Sequence, residues 1–113
     1  MLKKEKKYTY FEAGEGTPII ILHGLMGELS NFEGVAQFFP TKCYKVVIPE
    51  LPIYTQNILK TNVKAFSRFV KDFILYKGFD EVILVGNSLG GHIGLYHTKM
   101  YPNLVKALVI TGS

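Results

Sequence analysis

The chain has one cysteine, Cys43, in 113 residues. A lone thiol excludes an intrachain disulfide and every zinc-type cysteine spacing. Set just before an apolar run, Cys43 reads as a small buried or half-buried hydrophobe rather than a reactive thiol. Long apolar runs are missing as well. No segment approaches the ~20 residues that span a bilayer, and the basic N-terminus lacks the apolar stretch of a signal peptide. Internal repeats and low-complexity tracts are absent, which excludes solenoids and disordered arrays. A basic face is also absent. The formal charge is +4, but most of the excess sits in residues 1–7, where Lys3, Lys4, Lys6 and Lys7 outnumber Glu5. A nucleic-acid surface would spread its basic residues along a helix or among aromatics, so no nucleic-acid partner is expected and residues 1–7 read as a disordered basic tail. The length suits one domain over 1–113, in a reducing, cytoplasmic setting.

What the chain does have is a succession of short buried strands. PIIIL (18–22), YKVVI (44–48), EVILV (81–85) and KALVI (106–110) are apolar throughout rather than alternating. That pattern fits parallel strands covered on both faces. YTYF (8–11) alternates and ends at Gly14-Glu15-Gly16, which predicts an antiparallel edge strand. Helical patterns lie between. Ser30 to Glu33 matches a capping box for a short helix that must stop by Pro40. From Asn62 to Lys77, Val63, Phe66, Phe69, Val70, Phe73 and Ile74 recur at helical steps, with Lys64, Arg68, Lys71 and Asp72 opposite. Gly78 supplies a left-handed stop. A third helix is predicted from about Leu89 to Tyr101. This alternation gives right-handed crossovers and an α/β fold, a mostly parallel sheet with helices on both faces.

In such sheets ligands bind beyond the carboxyl ends of the strands, and two turns there are glycine-rich: HGLMG (23–27) and GNSLGG (86–91). The second is not a phosphate loop. His92 and Ile93 stand where the lysine and the magnesium-binding hydroxyl belong, and Ser88 occupies the place of a dinucleotide fingerprint's second glycine. It does match G-x-S-x-G, in which a serine rides a sharp strand-to-helix turn with its hydroxyl exposed. Gly86 and Gly90 flank Ser88 where side chains would collide across the turn. Gly91 lets the helix approach the sheet, and the helix N-terminus aims free amides at developing negative charge.

With HGLMG as its second half, the pattern from about Tyr8 to Ser113 resembles the N-terminal part of an α/β-hydrolase-fold enzyme. The resemblance implies a nucleophile at Ser88 and an oxyanion hole from the backbone N–H groups of Leu25 and Leu89. It implies attack on the carbonyl of a small acyl substrate and an acyl-enzyme cleaved by water, each oxyanion donor being worth ~3 kcal/mol. No metal or organic cofactor is implied. Serine at this position argues against the branches that use aspartate, and leaves esters, thioesters, certain amides and activated C–C bonds.

The family's order of serine, acid, histidine places both partners after Ser88. Downstream there is no Asp or Glu, and the histidines are His92 and His97, on the helix that begins at the turn. An elbow directs its serine away from that helix, so both read as structural. His23 reads as a brace for its own loop, and Asp72 and Asp80 as solvent-facing acids. The chain is therefore expected to be the front of a longer protein, lacking C-terminal strands and lid, and inactive alone. KALVI would be an apolar edge covered by a C-terminal fragment or by a second copy. The segment PELPIYTQN departs from the family's Asp-x-x-Gly-x-Gly-x-Ser turn, with Glu50 near the aspartate's place. A non-catalytic Rossmann-like interaction domain, whose glycine turns merely close corners, stays open at this point.

Overall fold

The computed structural model describes residues 2–5, 8–22, 43–51, 63–87 and 89–111. The four apolar runs form strands as the sequence predicts, with ends moved by a residue or two: β3 (Thr17–Leu22), β4 (Tyr44–Pro49), β5 (Val82–Asn87) and β6 (Val105–Thr111). Two further strands precede them, β1 (Leu2–Glu5) and β2 (Tyr8–Gly14). They build one sheet in the order β1-β2-β4-β3-β5-β6. Strands β4, β3, β5 and β6 are mutually parallel, while β2 is antiparallel to β4 and β1 to β2.

The N-terminus corrects the sequence reading. Residues 2–5, expected within a disordered tail, pair along β2 from Leu2↔Phe11 to Glu5↔Tyr8. Strand β2 is antiparallel as expected but is not the edge, because β1 covers it. The lysines are not merely solvated, since Lys3 Nζ lies 2.9 Å from Glu12 Oε2. A pattern scan misses this strand because its stability comes from partners across the hairpin.

Helix α1 (Val63–Lys77) buries Phe66, Ser67, Val70, Phe73 and Ile74, the stripe the spacing predicts plus one serine. It ends in a Schellman cap: Phe79 N–H donates to Ile74 O at 3.2 Å and Gly78 N–H to Leu75 O at 3.1 Å. Gly78 sits at φ 75, where a Cβ would be strained. Helix α2 (Leu89–Met100) follows β5 directly and gives way to a short 3-10 turn, Pro102–Leu104. Both helices pack on one face of the sheet, over a core of Ile20, Leu22, Val47, Leu84, Ile93 and the α1 aromatics. Tyr8 and Tyr10 close that core with edge-on contacts to Phe73, ring centroids 5.2 and 5.3 Å apart. Because strand side chains alternate, Ile19, Ile21, Val46 and Ile48 form a second buried cluster on the opposite face. The helix expected between Ser30 and Pro40, and the segment after Leu51, lie outside the described residues.

Cys43 is a second correction. It is exposed, in the turn before β4, where its carbonyl accepts the Thr17 N–H at 3.1 Å. Its backbone, not its thiol, is what the fold uses.

Candidate active site

Strand register sets the carboxyl ends of β3 and β5 side by side. In the parallel pair β3–β5, Leu22 stands opposite Gly86. The chain therefore leaves β3 toward His23-Gly24-Leu25 and leaves β5 toward Ser88 from adjacent points on the same edge, one strand spacing of about 4.8 Å apart. From β3 the chain connects to β4 on one side, and from β5 to β6 on the other. The carboxyl ends of β3 and β5 thus flank a topological switch point, where α/β sheets hold ligands.

The glycines are required by backbone contact. A Cβ on Gly86 would run into the Gly90 carbonyl and lie 2.8 Å from Gly91 Cα, the collision across the turn that the sequence predicts. Gly90 has a different reason. Its Cβ would strike the carbonyl oxygen of Leu22 and sit 2.6 Å from that carbonyl carbon. The first turn of α2 is thereby pressed against the residue that precedes HGLMG. At Gly91 the obstacle is Ile110 Cγ2, 2.9 Å from where a Cβ would sit. Backbone cannot give way as a flexible side chain can, so larger residues at Gly86 or Gly90 would force β5, α2 and β3 apart.

Of the predicted site residues, Leu89 opens α2, so its N–H belongs to the first turn, whose amides have no partner within the helix. Ser88 and Leu25 lie outside the described residues, as does His23. Asn87 and Thr111 close the carboxyl ends of β5 and β6 as a register pair, with Thr111 Oγ1 and Asn87 Oδ1 3.5 Å apart. Sequence reasoning missed that bracket beside the serine, although Thr111 directly follows the KALVI run. Glu50 is exposed at the end of β4, its N–H donating to Thr9 O at 2.8 Å.

The α2 histidines differ sharply. His92 is exposed. His97 is fully buried, its ring tilted against that of Tyr101 with centroids 5.1 Å apart, and burial pushes its imidazole pKa down to about 4. Asp72 is half-exposed beside Lys71 at 3.2 Å, and Asp80 is exposed. Among the described residues no group of three or more His, Cys, Asp or Glu could hold a metal, and no helix is long and apolar enough to cross a membrane. An open cleft of about 390 Å³ includes Thr17, Asp80, Glu81 and Lys106 in its lining; it lies at the amino ends of the strands, away from the glycine turns.

A mostly parallel sheet with a glycine-crowded strand-to-helix junction at its switch point defines an α/β scaffold. The alpha/beta hydrolase fold family matches residues 17–113, and the chain belongs to that family. It is 62% identical, at a TM-score of 0.92, to the crystal structure of MGS-MChE2, an alpha/beta hydrolase enzyme from a sediment metagenome of the Mar Chica lagoon, Morocco, covering 100% of this chain and 52% of that one. It is also 32% identical over 111 residues to the 2-hydroxy-6-oxo-6-(2'-aminophenyl)hexa-2,4-dienoic acid hydrolase of Metapseudomonas resinovorans, covering 92% of this chain and 38% of the relative. To the sn-1-specific diacylglycerol lipase ABHD11 of Danio rerio it is 25% identical, covering 91% of this chain and 34% of the lipase. The 113 residues thus span between about a third and a half of the length of these proteins.

Proposed function

We propose that this chain supplies the nucleophile and oxyanion hole of a serine hydrolase acting on a small ester or related acyl substrate. Ser88 Oγ attacks the substrate carbonyl carbon, and the resulting oxyanion is held by the Leu25 and Leu89 N–H groups. Collapse to an acyl-enzyme expels the leaving group, and water then releases the acid and regenerates Ser88. Two fixed donors at the developing charge account for several kcal/mol of barrier reduction. Supporting this reading above all is the seating of the α2 first turn on the Leu22 carbonyl at Gly90, because Leu22 is the residue from which the chain continues into His23-Gly24-Leu25. The relatives support a hydrolase, and two of the names given above are a hydrolase and a lipase of acyl compounds. A soluble cytoplasmic setting belongs to the same proposal.

The acid and the histidine are a separate matter. Residues 89–113 contain no Asp or Glu, and the fully buried His97 is not placed to take a proton from substrate. We therefore assign general-base chemistry to residues outside these 113 and expect negligible turnover from them alone. Fluorophosphonate labelling in the full-length context tests the nucleophile: labelling that disappears in Ser88→Ala is expected. A folded full-length protein that stays unlabelled overturns the proposal and favours a non-catalytic interaction domain. For the 113-residue chain, p-nitrophenyl ester hydrolysis no faster than that of its Ser88→Ala variant is expected.

A further inference from the structure

Two buried polar side chains have no place in the chemistry above. Ser67 and His97 are both fully buried, and among the described residues neither the Ser67 Oγ nor either His97 ring nitrogen has a hydrogen-bond partner. Buried polar groups are normally paired, so two orphans in one small interface require a reason.

Their positions match. Helix α1 leads into β5 and α2 leads from β5 into β6. Since those strands are parallel, each helix runs back against the sheet, and the two helices run in the same direction, packed on the same face. Lys71 Nζ of α1 lies 5.8 Å from the ring centroid of Tyr101, just past the end of α2. One turn earlier on each helix come Ser67 and His97. Each turn rises by the same distance, about 5.4 Å, so counting one turn back from Lys71 and Tyr101 puts positions 67 and 97 at the same level along the two helices.

We propose that His97, with Ser67 at its level, is an acid-sensitive latch that holds α2 on α1 while the imidazole is neutral and releases it on proton uptake. The surroundings oppose a charged ring. On α1 the groups at its level and one turn on are Ser67 and Lys71, whose ammonium lies 5.8 Å from the Tyr101 ring centroid and 3.2 Å from Asp72. On its own side it lies tilted against Tyr101. Leu22 and Leu108, which approach α2 at Gly94, and Leu84 of the same core bring no titratable group from the sheet. His92 and Lys99 are on the exposed side of α2. An imidazolium here would be desolvated, without an acceptor carboxylate, and near a like charge. Outside the fold the ring has its ordinary value of 6.5, against about 4 within it. The unfolded chain therefore binds the proton first, and the latch's stability is complete above 6.5 and lost progressively as pH falls toward 4. Because α2 begins at the glycine turn, release also loosens the proposed oxyanion donor at Leu89. The latch itself does not depend on that reading.

The test compares the protein with His97→Phe, which fills the space with a ring that cannot titrate. The folding equilibrium constant of the parent is expected to fall relative to the variant by up to tenfold for each pH unit below 6.5. A ratio that stays flat between pH 7 and 4 overturns the latch. In case His97→Phe does not fold, NMR titration of the parent provides the second measurement. The His97 ring is expected to resist protonation well below 6.5, with α2 amide exchange accelerating at the same midpoint. An ordinary midpoint without change in exchange overturns the proposal. Ser67→Ala is expected to shift the His97 ring signals, as loss of a neighbouring hydroxyl would; an unchanged ring spectrum removes Ser67 from the latch.

Discussion

The two edges of the sheet are finished in opposite ways. At the β1 edge, charged side chains are tied into a network. Glu12 lies between Lys3, 2.9 Å away, and Lys77, 2.7 Å away. The Lys77 ammonium also donates to Tyr10 OH at 3.0 Å and lies 4.5 Å from the Tyr10 ring centroid. Glu5 accepts from Tyr10 OH and, at 3.1 Å, from Tyr76 OH. Strand β1 is thus bound to β2 and to the last turn of α1 by side chains as well as by its ladder. At the other edge β6 has no such ties. Val109 and Ile110 are 46% and 50% exposed, on a strand whose outer hydrogen-bonding groups are unpaired by any described strand. Charge and pinning discourage a foreign strand from adding to β1, whereas β6 presents the apolar edge that natural sheets usually cover or blunt. The difference shows that edge protection here comes from a few long-range side chains and not from strand length or order.

Breaking the first edge should have the largest effect. Glu12→Ala leaves the nearly buried Lys77 ammonium without its carboxylate and should cost about 3 kcal/mol, read from urea midpoints. A loss below about 1 kcal/mol would show that the network contributes little. Acid should loosen the same edge more gently. Burial raises the Glu12 carboxyl pKa, but the hydrogen bonds and charges of Lys77 and Lys3 outweigh it, leaving the group below its ordinary 4.5. Glu5 is lowered chiefly by the Tyr10 hydroxyl. Both folded values are depressed, so their stabilisation is present above pH 4.5 and lost as pH falls through the lowered values. In Glu12→Gln the stability curve below pH 4.5 should be flatter than in the parent, and parallel curves would contradict the assignment. Smallest in energy is the reversal of the edges. Val109→Lys should leave stability within about 0.5 kcal/mol while reducing self-association in sedimentation, and Lys4→Val should increase it from the β1 side. Equal sedimentation of all three proteins would refute the contrast between the edges.

Much of this scaffold is legible in the sequence because its signals are local. Continuous apolar runs announce the parallel strands, although KALVI, read as buried, forms a largely exposed β6; the Phe66–Val70–Phe73–Ile74 stripe announces α1, and Gly78 announces its cap. The glycine spacing around Ser88 likewise announces a crowded turn, and Gly86 meets Gly90 as that spacing implies. Other features depend on distant residues. Nothing near Leu2–Glu5 says strand; Glu12 and Tyr10 do, across the hairpin. Nothing near Cys43 says exposed. Ser67 looks like a harmless break in an apolar stripe, and only the packed structure shows it fully buried.

The order of elements, the helix stripe and the glycine-flanked serine were written in the chain itself, because each follows from side-chain periodicity and backbone sterics over a few residues. Which strand ends become neighbours was decided only in three dimensions. The Leu22↔Gly86 register and the pressure of Gly90 on the Leu22 carbonyl join segments more than sixty residues apart, and contact between such segments is set by how the sheet assembles as a whole.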